Sequence, residues 1–169
     1  MHGLQYNPAL SDTAGVSGAL DAIRRLVRTL RTSANEIERD TGLTSAQNFV
    51  LQLLSQAPAE SMNELAARTM TDQSSVSVVV SRLEAKGLVT RAQSAADARR
   101  TRVEVTPAGR ELLDGKQPTV QARLIRALES MSPDALVLLE YQLTELTALM
   151  GAAHEPATLF FEDDATGSP

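Results

Sequence analysis

The sequence predicts a mainly α fold with one small β-hairpin, in the α+β class. Apolar residues recur at three- and four-residue spacing over several long stretches, which is typical of amphipathic helices. Helix start signals stand in front of four of these stretches, at Thr44, Ser61, Thr106 and Ser132. Two short segments between residues 88 and 106, the second with Val103 and Val105 alternating against polar neighbours, predict the hairpin.

Composition narrows the possible functions of this 169-residue chain. There is no cysteine, and the two histidines, His2 and His154, lie far apart, so disulfides, thiol sensing and a metal site are not expected. We expect no cofactor. The sequence contains neither a Ser/His/Asp set nor a paired-carboxylate arrangement, so we do not expect an enzyme. A basic leader and a membrane-length apolar run are also missing, which favours a cytoplasmic protein.

Charge is unevenly distributed along the chain. The formal net charge is −5, yet residues 61–110 contain eight basic and five acidic residues. Residues 1–60 have a net charge of −1 and residues 111–169 a net charge of −7. Because surface fields follow local charge, the middle segment could meet a polyanion.

The first predicted helix is long and amphipathic. Its opposite side carries Arg24, Arg28 and Arg31, which form a solvated face, a phosphate contact or a wall for a carboxylate. The apolar face consists of Leu20, Ile23, Val27, Leu30, Ala34 and Ile37.

Two capped helices follow. Thr44 with Gln47, and Ser61 with Glu64, have the spacing of a capping box, in which each side chain satisfies the other residue's amide. Pro58 separates the two helices. The buried faces are expected to contain Phe49, Val50, Leu53 and Leu54 in the first and Met62, Leu65 and Ala66 in the second.

The segment from Thr71 to Leu88 is ambiguous, because alternating valines also fit a strand. A helix is favoured since Thr71 or Asp72 offers an N-cap and Gly87 suits a left-handed C-terminal residue. The helix would bury Val76, Val79, Val80 and Leu83 and would turn outward Ser74, Ser75, Ser77, Ser81 and Arg82.

Short exposed serines allow a helix to approach the major groove closely, since a hydroxyl donates to and accepts from base edges or phosphates. They are also common as surface filler. Arg82 could contact guanine or phosphate, or pair with Glu84 or Asp97.

The predicted strands are residues 88–91 and 102–106, joined by a loop with a basic tip. Arg99, Arg100 and Arg102 form that tip and could reach a narrow minor groove, although a solvated charge cluster is the alternative.

Two further helices complete the chain. Thr106 and Pro107 start the first, and Gly115 and Pro118 should break or kink it. The last starts at Ser132 and Pro133. It contains a narrow apolar seam suited to packing against another helix, formed by Leu136, Leu139, Leu143, Leu146 and Met150.

This order of elements is that of a winged helix-turn-helix flanked by a helical dimerisation layer. With Asp97-x-Arg99 running into Val103, Val105 and the Thr106-to-Gly109 stretch, the chain resembles the MarR family of transcriptional regulators over roughly residues 18–150. The expected divisions are an arm and dimerisation helix at 1–43, the winged region at 44–106, dimerisation helices at 107–152 and an acidic flexible tail at 153–169.

The resemblance implies a homodimeric repressor bound to a pseudo-palindromic operator and released by a small-molecule effector. It implies a recognition helix at about Asp72 to Lys86, minor-groove insertion of Arg99, and bracing of the wing by Asp97. The dimer layer would use Leu20, Ile23, Leu136, Leu139, Leu143 and Leu146. The effector and its pocket stay unassigned by the sequence.

Two other functions fit parts of the sequence. Winged helices also serve as dimerisation domains of some methyltransferases, but no glycine-rich cofactor loop follows here. A protein-protein adaptor without specific DNA binding would have the same fold, and the basic wing argues against it.

Overall fold

The computed structural model describes the backbone of residues 8–93, 101–155 and 157–160, and side chains from residue 13 onward. Within these ranges the fold contains seven helices and a two-stranded antiparallel sheet, which confirms the mainly α class with a hairpin. The helices are α1 (Pro8–Thr41), α2 (Ser45–Gln56), α3 (Met62–Thr69), α4 (Gln73–Ala85), α5 (Pro107–Leu113), α6 (Val120–Glu129) and α7 (Pro133–Leu149). The strands are β1 (Val89–Gln93) and β2 (Thr101–Val105).

Serine, threonine and aspartate start α2, α3, α4, α5 and α7 as predicted. Thr44 Oγ1 accepts from the Gln47 amide at 3.1 Å, and Ser61 Oγ accepts from the Glu64 amide at 3.1 Å. The reciprocal halves of both predicted capping boxes are wrong. Gln47 is buried and its Oε1 has no hydrogen-bond partner, while Glu64 Oε2 accepts from the Glu60 amide instead.

The elements α2, α3 and α4 and the hairpin together form the winged unit. The core lies between them. The fully buried side chains include Phe49, Leu51 and Leu54 of α2, together with Leu65 and Val103. The hairpin pairs Val89 with Val105, and an isolated bridge adds a third short edge through Ala59 and Val103. The two amides of that bridge donate to the opposite carbonyls at 3.0 and 2.8 Å.

The break predicted after α5 is confirmed. Gly115 has φ +67°, a left-handed conformation that glycine adopts without steric cost, and α6 begins after Pro118 with Thr119 as its N-cap. Gln52 of α2 fastens this break, since its Nε2 donates to the Gln117 carbonyl at 2.9 Å and its Oε1 accepts from the Thr119 amide at 3.1 Å.

The last helix has no buried residue, although its composition is strongly apolar. Leu136, Leu143 and Leu146 of the predicted seam are 38–50% exposed, and Leu139 is partly exposed. The exposed apolar surface is wider than a narrow seam, because it also includes Val137, Leu138, Tyr141 and Leu149. On α1, Leu20, Ile23 and Val27 are likewise 38–43% exposed.

The segment after α7, which the sequence predicts to be a flexible tail, contains one buried residue. Leu159 is only 3% exposed and belongs to the core of the winged unit. The nearby Ala157 carbonyl accepts from Thr71 Oγ1 at 3.4 Å. Residues 157–160 therefore pack against the turn between α3 and α4. The remainder of the predicted tail, residues 161–169, lies outside the described residues.

Candidate nucleic-acid interface

Helix α4 has the two faces that the sequence predicts. Val76, Val79, Val80 and Leu83 are fully buried, so the alternating valines belong to a helix and not to a strand. Of the five residues predicted to face outward, Ser74 and Ser81 are exposed, while Ser75, Ser77 and Arg82 are partly buried. The helix therefore presents a surface of small polar side chains.

Asp72 caps the N-terminus of α4. Its carboxylate accepts from the Ser75 hydroxyl at 2.6 Å and from the Ser75 amide at 2.9 Å. The hydrogen bond from the Ser75 side chain, followed by that from the Ser75 amide, lowers the pKa of Asp72 below its ordinary value. The Ser75 hydroxyl is thus already engaged within the protein.

A side chain that the sequence did not single out, Arg91 of β1, packs the wing against α4. Its Nη2 donates to Ser81 Oγ at 2.8 Å and to the Ser77 carbonyl at 3.3 Å, and its Nε lies 3.4 Å from Glu84 Oε2. The contact joins strand and helix across the fold, and no local spacing signals it. Ser81, predicted to contact DNA, is therefore also part of the support of the wing.

Of the predicted wing residues, Arg102 is described. Its Nε lies 2.6 Å from Glu104 Oε1 and 3.4 Å from Glu60 Oε1, so the two carboxylates offset its charge. Asp97, Arg99 and Arg100 lie outside the described residues, and their roles stay predictions.

Arg82 lies on the flank of α4 that faces the C-terminal end of α1. It lines a cavity of about 380 Å³ with Glu38, Gly42 and Lys86, and Lys86 Nζ donates to the Gly42 carbonyl at 2.8 Å. Arg82 is thus on a different flank from Ser77, which is next to the wing. The outermost row of α4 consists of Ser74, Val78 and Ser81, and Val78 is 46% exposed.

Thr106 connects the wing to α4 and α5. Its hydroxyl donates to the Gly87 carbonyl at 2.8 Å and accepts from the Gly109 amide at 3.1 Å, while its own amide donates to the Leu88 carbonyl at 3.0 Å. The predicted helix start at Thr106 and Pro107 is confirmed, and Gly87 has the expected left-handed φ of +72°. One residue therefore fixes the end of α4, the return strand and α5 together.

A larger cavity, of about 600 Å³, lies between α2 and the α5–α6 region. Its apolar walls include Phe49, Leu113 and Ile125, and its cations include Lys116 and Arg126. Cavities of about 300–1,000 Å³ are typical of small-molecule sites.

Arg68 and Met70 close the α3 end of this 600 Å³ cavity. Arg68 is held by the backbone at the end of α2, donating to the carbonyls of Leu53, Ala57 and Pro58. Met70 has a left-handed φ of +55° that a non-glycine residue rarely adopts, and its side chain is 65% exposed.

The described residues contain no cluster of histidine, aspartate and glutamate that could hold a metal ion. None of the helices in the same ranges combines the length and hydropathy needed to cross a bilayer.

Comparisons with known proteins agree with the geometry. A sequence model of the MarR family matches residues 41–100. An uncharacterised HTH-type transcriptional regulator of Bacillus subtilis, YkoM, is 27% identical over 122 residues, which are 70% of this chain and 79% of that protein.

Solved structures extend the likeness to most of the chain. The transcriptional regulator BldR of Sulfolobus solfataricus is 25% identical and superposes with a TM-score of 0.51, covering 84% of this chain and 96% of that one. CouR of Rhodococcus jostii, solved bound to p-coumaroyl-CoA, is 25% identical with a TM-score of 0.50, covering 83% of this chain and 95% of that one.

Proposed function

The chain belongs to the MarR family of transcriptional regulators, and from that premise we propose that it acts as a homodimeric repressor of a pseudo-palindromic operator. Each subunit places α4 in a major groove and the basic wing in the adjacent minor groove. The observation that carries the proposal is the outward row of small side chains on α4, next to a hairpin whose two strands are joined in the sequence by a segment that contains Arg99 and Arg100.

The dimer is supported by apolar surface that this chain leaves uncovered. Helix α7 has 17 residues and none of them is buried. Such an uncovered apolar helix is rare on a monomeric protein, so we expect a partner to cover it. The exposed residues Leu20 and Ile23 of α1 offer a second apolar strip. In the proposed dimer, α1 and α7 pair with their counterparts, and the two copies of α4 lie about one helical turn of DNA apart, roughly 10 base pairs.

The 600 Å³ cavity is the proposed effector site. Its cations Lys116 and Arg126 outnumber the nearby Glu129, and apolar side chains line the cavity as well, so the site favours an anionic molecule with an apolar body. The neighbour CouR was solved with an acyl-CoA of that general kind. We propose that the bound effector causes release of DNA by acting on Gln52. This side chain lines the cavity and also fastens the break between α5 and α6.

An electrophoretic mobility-shift experiment tests the function. The probe is the DNA upstream of the protein's own gene, with non-specific DNA as competitor and a series of salt concentrations. We expect specific binding that weakens steeply with salt, because phosphate contacts release counterions. Absent or salt-insensitive binding would contradict the proposed DNA-binding function and would favour a protein-protein adaptor.

The wing is tested by Arg99→Ala. We expect operator binding to weaken by about 1 to 3 kcal/mol while the dimer persists in size-exclusion chromatography. Arg123→Ala is the matched control, since it removes the same charge from an exposed position on α6. Equal binding by both variants and the wild type would contradict the proposed role of Arg99.

A further inference from the structure

Val78 is an apolar side chain in the middle of the outward face of α4. It is 46% exposed, whereas the other three valines of that helix are fully buried. Helical spacing places Val78 between Ser74 and Ser81 in one row, opposite the core. Its exposure is therefore not a by-product of packing, because the helix already has its buried face.

Valine is also a poor choice for an exposed helical position on intrinsic grounds. Its β-branched side chain loses rotamer freedom in a helix, and serine or alanine would fill the site at no greater cost to the helix. The exposed apolar strips on α1 and α7 belong to different elements, so Val78 does not extend the proposed dimer surface.

The polar groups beside Val78 are partly engaged. Ser81 Oγ donates to the Ser77 carbonyl at 2.9 Å and accepts from Arg91 Nη2 at 2.8 Å. With the Ser75 hydroxyl bound to Asp72 as well, the branched methyls of Val78 are the prominent feature at the centre of the row. At this position a helix that recognises bases by hydrogen bonds would have an amide or a guanidinium side chain. Val78 can offer only apolar contact.

In the major groove, the matching apolar group is the C5-methyl of thymine, which cytosine and the purines lack. We propose that Val78 reads a thymine methyl near the centre of each operator half-site, so that Val78 sets sequence specificity by apolar contact. This inference rests on the proposed function, in which α4 lies in the major groove.

The test begins with selection of binding sites from a randomised DNA library by the wild-type dimer. Each thymine of the selected site is then replaced by deoxyuridine, which removes the methyl and leaves the hydrogen-bonding edge unchanged. The loss of one methyl contact corresponds to about a fourfold loss of affinity per half-site. We expect that loss at one symmetric pair of positions.

Val78→Ala should bind the thymine and deoxyuridine DNAs equally at those positions. The internal control is the remaining thymines of the site, whose replacement should affect wild type and variant alike. Because Val78 is exposed and alanine is the better helix former, the variant should have a melting temperature equal to or slightly above that of the wild type, and this is measured alongside.

The outcomes separate the inference from the function beneath it. Sensitivity to deoxyuridine that survives in Val78→Ala, or a wild type indifferent to every replacement, overturns the role of Val78 while the DNA-binding function stands. Failure to enrich any site overturns both.

Discussion

Gly109→Ala tests a close backbone approach, where α5 crosses the end of the wing. A Cβ on Gly109 would lie 2.7 Å from Val105 Cγ2 and 3.3 Å from Leu51 Cδ1, and nearer still to the Leu88 carbonyl oxygen. That oxygen cannot rotate away, since it is backbone and accepts from the Thr106 amide at 3.0 Å. Accommodating one methyl therefore requires α5 to move off the core.

The magnitude follows from two opposed effects. Overpacking costs about 1 to 3 kcal/mol, and a rigid backbone neighbour puts this site near the upper end. Alanine in place of glycine within a helix returns about 1 kcal/mol. A net loss of about 2 kcal/mol is expected, which lowers the melting temperature of a chain of this size by roughly 4 to 8 °C.

Thermal and urea denaturation at one fixed protein concentration provide the assay, because the proposed dimer would make the stability depend on concentration. The matched control is Gly18→Ala in α1, where a Cβ would meet nothing within 4 Å. Gly18 also lies on the side of α1 away from Leu20 and Ile23. The same substitution should stabilise there by about 0.5 to 1 kcal/mol. The packing argument fails if Gly109→Ala is as stable as the wild type.

Three further predictions concern the dimer, a helix cap and the C-terminal segment. Replacing Leu139 and Leu143 by aspartate should yield monomer or unfolded chain in multi-angle light scattering, and a surviving dimer would move the interface elsewhere. The hydrogen bonds from Ser75 lower the pKa of Asp72, so they stabilise the fold fully at pH values above the ordinary Asp pKa of 3.8. This stabilisation is lost as the pH falls through the lower pKa of the folded state. Asp72→Asn keeps a capping oxygen without titrating, so its melting temperature should fall less than that of the wild type in acid; parallel pH profiles would refute the assignment. Leu159→Ala should destabilise by about 2 kcal/mol or more in urea denaturation, because it empties a buried site, and an unchanged midpoint would return the segment to a loose tail.

Local signals predicted the helices and their starts well. The helix from Gln73 to Ala85 is an example, because N-cap, C-terminal glycine and a four-residue apolar face all agreed against the alternating valines. The break at Gly115 was predictable for the same reason, since a left-handed residue and a proline act within a few positions of themselves.

Contacts between distant segments were not predictable. Leu159 is buried because the chain returns to the winged unit after α7. A short apolar run in a polar stretch has no periodicity from which this burial could be predicted. Arg91 and the Ala59–Val103 bridge are similar cases, because each depends on which strand faces which helix. For the candidate site, the sequence identified the outward face of α4, while the geometry showed which hydroxyls on it are already bonded.

The uncovered surface of α7 has a consequence for how the amount of regulator responds to its synthesis. If the pair is the active species, then at concentrations below its dissociation constant its abundance follows the square of the total chain concentration, so halving the chain leaves about a quarter of the pairs. The unpaired chain meanwhile exposes residues such as Leu149, 81% accessible, to proteases and to aggregation. In the proposed dimer, a helix that buries nothing within its own chain would therefore make the amount of paired protein respond to gene dosage more sharply than in proportion.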